Sequence, residues 1–207
     1  DHTMTEAIGR RVEDYLVKPA SPRQVLSVVT RILEGPSIRQ QQAAQDFAAR
    51  FGRLSMLQGD ADTPDDFVKV FTELVDWHIR LEQAGETGLL DTVRSIMDDL
   101  RRDFGTWVIR HYPSWMEDAE DRPRLSVDLV REFLVPRLGS DPVYFVVLDC
   151  MRLDQWRAIS PLLAQYFDLE ETYHFSILPT ATPYARNAIF SGQYPDDIAK
   201  KRPEWWD

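Results

Sequence analysis

The sequence predicts an α/β protein with an all-α middle, and three observations support that prediction. Within residues 1–36 a short apolar run precedes a capped amphipathic helix, the pattern that ends a doubly wound α/β domain. Residues 37–138 repeat apolar side chains every three or four positions, which is typical of helices. Residues 139–207 open with the run VYFVVLD, which is typical of a strand buried on both faces. We therefore expect three regions with these boundaries.

The first region contains a helix for which the sequence predicts both the first and the last residues. Ser21 can cap the helix, Pro22 suits its first turn, and Gln24 completes a capping box. Gly35 and Pro36 are expected to end it. Its side chains predicted to be buried are Val25, Val28, Val29 and Ile32.

Residues 37–138 are predicted to form an antiparallel bundle of helices with short loops. The apolar positions of the first helix are Ala44, Phe47, Phe51 and Leu54. A second helix begins at Thr63, and a third runs from about Leu89. Ser126 is expected to cap a shorter fourth helix that ends near Pro136.

Composition limits the partners of the chain. Of its 207 residues 43% are hydrophobic, so it has the composition of a globular protein. The net charge of −10 argues against sequence-independent binding to nucleic-acid phosphates. The sequence also predicts no basic recognition helix of the kind that binds specific DNA sequences. A single cysteine, Cys150, suits a reducing compartment, and we expect a cytoplasmic protein. No apolar run predicts membrane insertion, and no signal-peptide pattern opens the chain.

Residues 142–207 contain the side chains that suggest chemistry. Asp149 closes the predicted strand, at the end where ligands collect in parallel sheets. Thr182 lies between Ala181 and Pro183, and Pro179 stiffens the backbone before it. A threonine hydroxyl becomes a nucleophile when a cation or a base stabilises its alkoxide. A carboxylate and a hydroxyl at neighbouring sheet edges could therefore share one Zn²⁺.

Two polar residues follow this threonine. Arg186 is a candidate phosphate clamp, and the Asn187 amide could donate to a phosphoryl oxygen. The same stretch also fits a plain structural role. In that interpretation PTATP is a rigid surface turn, Asn187 caps the following helix, and Gly192 ends it.

The tract DYLVKPAS resembles the last strand and following loop of a response-regulator receiver domain, which has a flavodoxin-like fold. By this resemblance Lys18 contacts a phosphoryl group carried by an earlier strand, and Tyr15 is a rotameric switch. It further implies a phosphoacceptor aspartate and a Mg²⁺ pocket before Asp1, and a sensor histidine kinase as partner. Because the chain opens without methionine, we expect it to be a piece of a longer protein.

The tracts LDCMRLDQW and PTATPYARNAIFSGQYP resemble the start of a PglZ domain, a branch of the alkaline phosphatase superfamily. The resemblance implies an α/β sheet and two divalent metals, commonly zinc. Asp149 corresponds to a metal ligand, and Thr182, in preference to Thr180, corresponds to the nucleophile and metal-bound residue. The order of regions is similar to that of PorX-like response regulators. That family is linked to type IX secretion and to phosphodiesterase action on oligonucleotides.

The main departure from the PglZ pattern is the scarcity of metal-ligating residues after Thr182. Three aspartates, Asp196, Asp197 and Asp207, follow Thr182, and no histidine does. We therefore expect the given chain to be inactive. Its parent is expected to be a phosphodiesterase or phosphatase that is regulated by phosphorylation and can form a homodimer. The alternative is a degenerate PglZ-like region that serves as a docking module in signalling.

Overall fold

A computed structural model of the chain describes residues 18–117, 122–139 and 141–205. The described part is mostly helical. Its six α-helices are α1 (Pro22–Gly59), α2 (Pro64–Ala84), α3 (Thr87–Glu117), α4 (Leu153–Leu163), α5 (Thr182–Ser191) and α6 (Pro195–Lys201). No described helix combines the length and apolar character needed to cross a membrane.

The chain divides into two compact units. One contains the described residues up to Ala61 together with Lys69–Arg101, and the other contains Asp62–Val68 and the described residues from Arg102 onward. Helices α2 and α3 contribute residues to both units.

The predicted start of α1 is confirmed, whereas its predicted stop is wrong. The Ser21 hydroxyl accepts a hydrogen bond from the Gln24 N–H, and the Gln24 side chain accepts one from the Ser21 N–H. The helix then continues through Gly35 and Pro36 to Gly59. Proline removes one backbone donor and costs a helix interior about 3 kcal/mol. Burial of later α1 side chains, including Phe47 at 1% exposure, stabilises the turns beyond it.

The apolar face at the start of α1 is exposed, contrary to prediction. Val25 is 41% exposed, Val29 43% and Ile32 37%. A helical stripe identifies a face that favours burial but does not supply a covering element. Val28, the fourth residue predicted to be buried, is half-buried.

The predicted antiparallel arrangement is confirmed for α1 and α2. Asp46 of α1 forms an ion pair with Arg80 of α2, and Arg50, one turn further along α1, pairs with Glu73, about two turns earlier in α2. Because the contacts advance along one helix as they retreat along the other, the helices run in opposite directions. The buried core of this unit includes Ala43, Phe47, Leu54, Val70, Leu74, Leu81, Val93 and Leu100.

The predicted fourth helix exists as three short turns of different pitch. A 3₁₀ turn covers Ser126–Asp128, a π-helix covers Val130–Leu134, and a second 3₁₀ turn covers Val135–Arg137. Ser126 is not the N-cap, because its hydroxyl accepts a hydrogen bond from the distant Ile177 N–H at 3.3 Å. Ser126 is only 1% exposed, and Leu125 occupies the N-cap position of the first 3₁₀ turn.

The prediction that VYFVVLD is a strand buried on both faces is wrong for the described chain. Val143, Phe145 and Val147 are 37–38% exposed, whereas the alternate residues Tyr144, Val146 and Leu148 are 60–87% exposed. This two-residue period is that of an extended strand. Burial on both faces requires neighbouring strands, yet the one β-pairing among the described residues is a parallel bridge between Leu125 and Phe175.

Candidate functional site

Thr182 is the first residue of α5. Ala181 precedes it in an extended conformation, and the Ala181 carbonyl accepts hydrogen bonds from the N–H groups of Tyr184 and Ala185 at 3.0 Å each. The first turn of α5 contains no acidic residue. Thr182, a half-buried residue, therefore lies at the positive end of the helix dipole, where a developing negative charge is stabilised.

The chain that leads into this helix is held by residues far away in sequence. The Phe175 N–H donates to the Arg124 carbonyl at 2.9 Å, and the Ser126 N–H donates to the Phe175 carbonyl at 3.1 Å. Ile177 is fully buried. These bonds fix the course of the backbone several residues before Thr182.

An aromatic cluster from α3 covers the same segment. The ring centroid of Phe175 lies 5.6 Å from that of Phe104, 6.2 Å from that of Trp107 and 5.6 Å from that of Trp115. Aromatic pairs at such separations contribute beyond their buried area. The approach to Thr182 is thus anchored in a packed cluster.

The other end of α5 is set by Gly192, as the structural interpretation of this stretch predicted. That interpretation is wrong about Asn187, which lies inside α5 and is not its N-cap. The φ of Gly192 is +65°, a left-handed conformation that favours glycine, and its N–H donates to the Ala188 carbonyl at 3.0 Å. A β-carbon at this position would lie 3.5 Å from the Val127 carbonyl oxygen. The helix end therefore lies close against the 3₁₀ turn at residues 126–128.

Asp128 of that turn forms a buried ion pair. Arg122 and Asp128, whose side chains are 8% and 4% exposed, form two hydrogen bonds of 2.6 and 3.0 Å. The Leu125 N–H also donates to the Asp128 carboxylate, at 2.9 Å. Burial alone would raise the pKa of Asp128, but the bonds from Arg122 and Leu125 outweigh it and the pKa lies below its usual value. Both Asp128 carboxylate oxygens are thus hydrogen-bonded within the turn that the end of α5 approaches.

Asp149 lies in a tight turn at the end of the extended segment. Its carboxylate accepts a hydrogen bond from the Cys150 N–H at 2.9 Å. Cys150 has a φ of +59°, which is uncommon for a residue with a β-carbon. The segment meets α5 through Phe145 and Phe190, whose ring centroids are 5.6 Å apart.

Arg186 and Asn187 lie on different sides of α5. Four residues correspond to a rotation of about 40° and five residues to about 140°, so Arg186 shares the face of Thr182 and Asn187 does not. Asn187 instead lines a surface cavity together with Phe190, Ser191, Ile198 and Trp205. The predicted roles of both side chains in phosphate binding stay predictions.

The described residues alone do not complete a zinc site. Zinc in enzymes takes three protein ligands, and no three His, Cys, Asp or Glu side chains of the described chain lie together in that way. Asp196 and Asp197, which follow Thr182, instead form ion pairs with Lys200 and Lys201 one turn later in α6. Asp149 and Thr182 thus supply at most two of the donors that zinc would need.

Of the two residues predicted to sense a receiver phosphoryl group, one is described. Lys18 is exposed and precedes a cis peptide bond to Pro19. Tyr15 lies outside the described residues. Their predicted roles stay predictions.

Several residues that position α5 were not found from the sequence. Arg122 and Asp128 lie in or beside the acidic stretch MEDAEDRPRLSVD, where they look like solvated charges. Phe175 lies in a stretch without a clear period. Because their partners are distant in sequence, no local pattern reveals these contacts.

Two protein-family models match the chain. Residues 37–116 match the PorX response regulator linker domain. Residues 129–206 match the BREX system PglZ alkaline phosphatase-like domain, so this match includes Asp149, Thr182 and the whole of α5. The chain matches no curated protein.

The chain therefore joins a response-regulator linker to an alkaline-phosphatase-like domain, which defines its class. These two families, in this order, are those of a PorX-like response regulator with a PglZ domain.

Proposed function

We propose that the PglZ region of this regulator hydrolyses phosphate esters, with Thr182 as the nucleophile. The observation that supports this most is the position of Thr182, at the N-terminus of α5 and within the PglZ match. Its Oγ forms a bond to phosphorus as the bond to the leaving oxygen breaks, and its proton ends on the released alcohol. Water then cleaves the Oγ–P bond and restores the hydroxyl.

The contact between Phe145 and Phe190 allows Asp149 to lie near Thr182. Asp149 is four residues beyond Phe145, about 13 Å along an extended strand. Thr182 is eight residues before Phe190, about 12 Å along a helix. If α5 runs antiparallel to the segment, as crossover helices do, the two side chains lie at the same end. Asp149 is then a candidate metal ligand, with further ligands still required.

The finer parts of the proposal follow the family resemblance. We propose a phosphodiester substrate such as an oligonucleotide, two zinc ions in the complete protein, and a cytoplasmic role in regulating type IX secretion. Phosphorylation by a sensor histidine kinase at a receiver with bound Mg²⁺ is the proposed input, sensed through Lys18 and Tyr15. Homodimerisation is a proposed step between this input and the effector.

The experiment is hydrolysis of chromogenic phosphomonoesters and phosphodiesters by the full-length gene product with added Zn²⁺. We expect Thr182→Ala to reduce turnover by at least about a thousandfold, because it removes the nucleophile. Thr180→Ala is the matched control, since Thr180 is an exposed threonine two residues earlier in the same turn. Equal loss in both variants, or a larger loss in Thr180→Ala, would refute the assignment.

A docking module is the second candidate function. It is favoured by the lack of three clustered metal-ligating side chains among the described residues. A folded full-length protein that hydrolyses neither class of ester with Zn²⁺ would support docking over catalysis.

A further inference from the structure

A hydrogen bond from α3 acts on the turn immediately before Thr182. The Leu178 N–H donates to the Tyr112 hydroxyl oxygen, with 2.8 Å between nitrogen and oxygen. Leu178 is four residues before Thr182, and Pro179 fixes φ at the next position. A restraint at Leu178 is therefore transmitted through a stiff stretch of backbone.

Tyr112 is itself held by packing. Its ring meets that of Trp115 edge to face with centroids 5.7 Å apart. Trp115 is 6% exposed and contacts Phe175, two residues before the buried Ile177. The phenol oxygen is thus a fixed point relative to the segment that it restrains.

The Tyr112 bond differs from the earlier anchors of this segment in its exposure. Phe175 and Ile177 are held in buried or half-buried surroundings, whereas Leu178 is 47% exposed. Without Tyr112, water can satisfy the Leu178 N–H at little cost in stability. The bond therefore contributes to the geometry of the turn more than to the stability of the fold.

The two residues joined by this hydrogen bond, Tyr112 and Leu178, lie in segments that match different protein families. Tyr112 lies within residues 37–116, the response-regulator linker, and Leu178 and Thr182 lie within residues 129–206, the PglZ domain. We infer that Tyr112 is a positioning residue through which the linker helix α3 sets the orientation of Thr182. This inference rests on the proposed function, because it takes Thr182 as the nucleophile.

The test compares Tyr112→Phe with the unaltered full-length protein. Phenylalanine keeps the ring but loses the acceptor, so we expect the Leu178 amide to exchange hydrogen about tenfold faster. Where Thr182 is the nucleophile, we also expect kcat to fall about tenfold at an unchanged KM, because substrate still binds but the hydroxyl is less well oriented. The melting temperature should stay the same.

Tyr166→Phe is the matched control, because Tyr166 is 80% exposed in the same compact unit. It should change neither amide exchange nor kcat. Unaltered Leu178 exchange in Tyr112→Phe would overturn the contact, and faster exchange with unaltered kcat would overturn the positioning role. A full-length protein without Thr182-dependent hydrolysis would instead refute the proposed function, which separates the two failures.

Discussion

The rings of Phe145 and Phe190 meet edge to face, with centroids 5.6 Å apart and planes at 82°. Phe145 belongs to the less exposed side of the extended segment 143–148, and Phe190 lies near the end of α5. This contact joins the segment that ends at Asp149 to the helix that begins at Thr182. The relation between the two candidate site residues therefore depends on an apolar pair distant from both.

Replacement of Phe190 by alanine should lower the free energy of unfolding by about 1–2 kcal/mol, because the aromatic pair is lost from a partly exposed site. Urea denaturation measures the change. Tyr166→Ala removes an aromatic ring that is 80% exposed and should change stability by less than about 0.5 kcal/mol. Equal effects of the two substitutions would show that the ring contact does not stabilise the fold.

Asp128→Asn should destabilise the protein by about 3 kcal/mol or more at neutral pH, because it leaves the charge of Arg122 buried without its partner. The lowered pKa of Asp128 also predicts a pH dependence. Its contribution is complete above the pKa of the unfolded chain, about 4, and is lost as pH falls through the lower folded value.

Urea denaturation of both proteins between pH 7 and about pH 2 tests this prediction. The difference between wild type and Asp128→Asn should be constant above about pH 5 and should shrink in acid. A difference that grows as pH falls would contradict the assigned sign.

The ion pair between Arg50 and Glu73 should show a larger coupling energy than a fully exposed pair, because it has two hydrogen bonds, of 2.5 and 2.9 Å, and its side chains are only 32% and 20% exposed. The bond from Arg50 also lowers the pKa of Glu73. A double-mutant cycle with Glu73→Gln and Arg50→Gln measures the pair. The Asp98 and Arg101 pair, 64% and 58% exposed, is the control and should contribute about 0.3 kcal/mol. Equal coupling energies would contradict the role of burial.

Gly192→Ala should destabilise the protein by about 1–2 kcal/mol, because its φ of +65° is strained for a residue with a β-carbon. Gly52→Ala is the opposite case. Gly52 lies inside α1 with open space around its β-position, so alanine should stabilise by about 0.5–1 kcal/mol. Thermal denaturation of the two variants should therefore shift in opposite directions, and a shared direction would argue against the conformational explanation.

Local signals in the sequence predicted local structure well. Ser21 and Gln24 form the expected capping box, Pro64 begins α2 directly after the expected Thr63, and Gly192 ends α5. Each of these depends on side chains within a few residues of the backbone groups that they satisfy.

Residues whose structural role depends on contacts distant in sequence were predicted less well. Pro36 was expected to stop α1, but packing of later turns outweighs the loss of one backbone donor. Ser126 was expected to cap a helix, but its hydroxyl bonds to Ile177, 51 positions away. For the candidate site, the sequence and the family resemblance point to Thr182 and Asp149, and their roles stay predictions. The positioning contact at Tyr112 depends on a tertiary approach that no local pattern contains.

The alternating exposure of residues 143–148 has a practical consequence. Six consecutive uncharged residues with high β-propensity lie extended, and within the described chain neither of their backbone edges is paired. Such a segment is a template for intermolecular strand pairing. Solutions of this 207-residue polypeptide should therefore aggregate as concentration rises, and added salt should accelerate this by screening the mutual repulsion of chains with a net charge of −10.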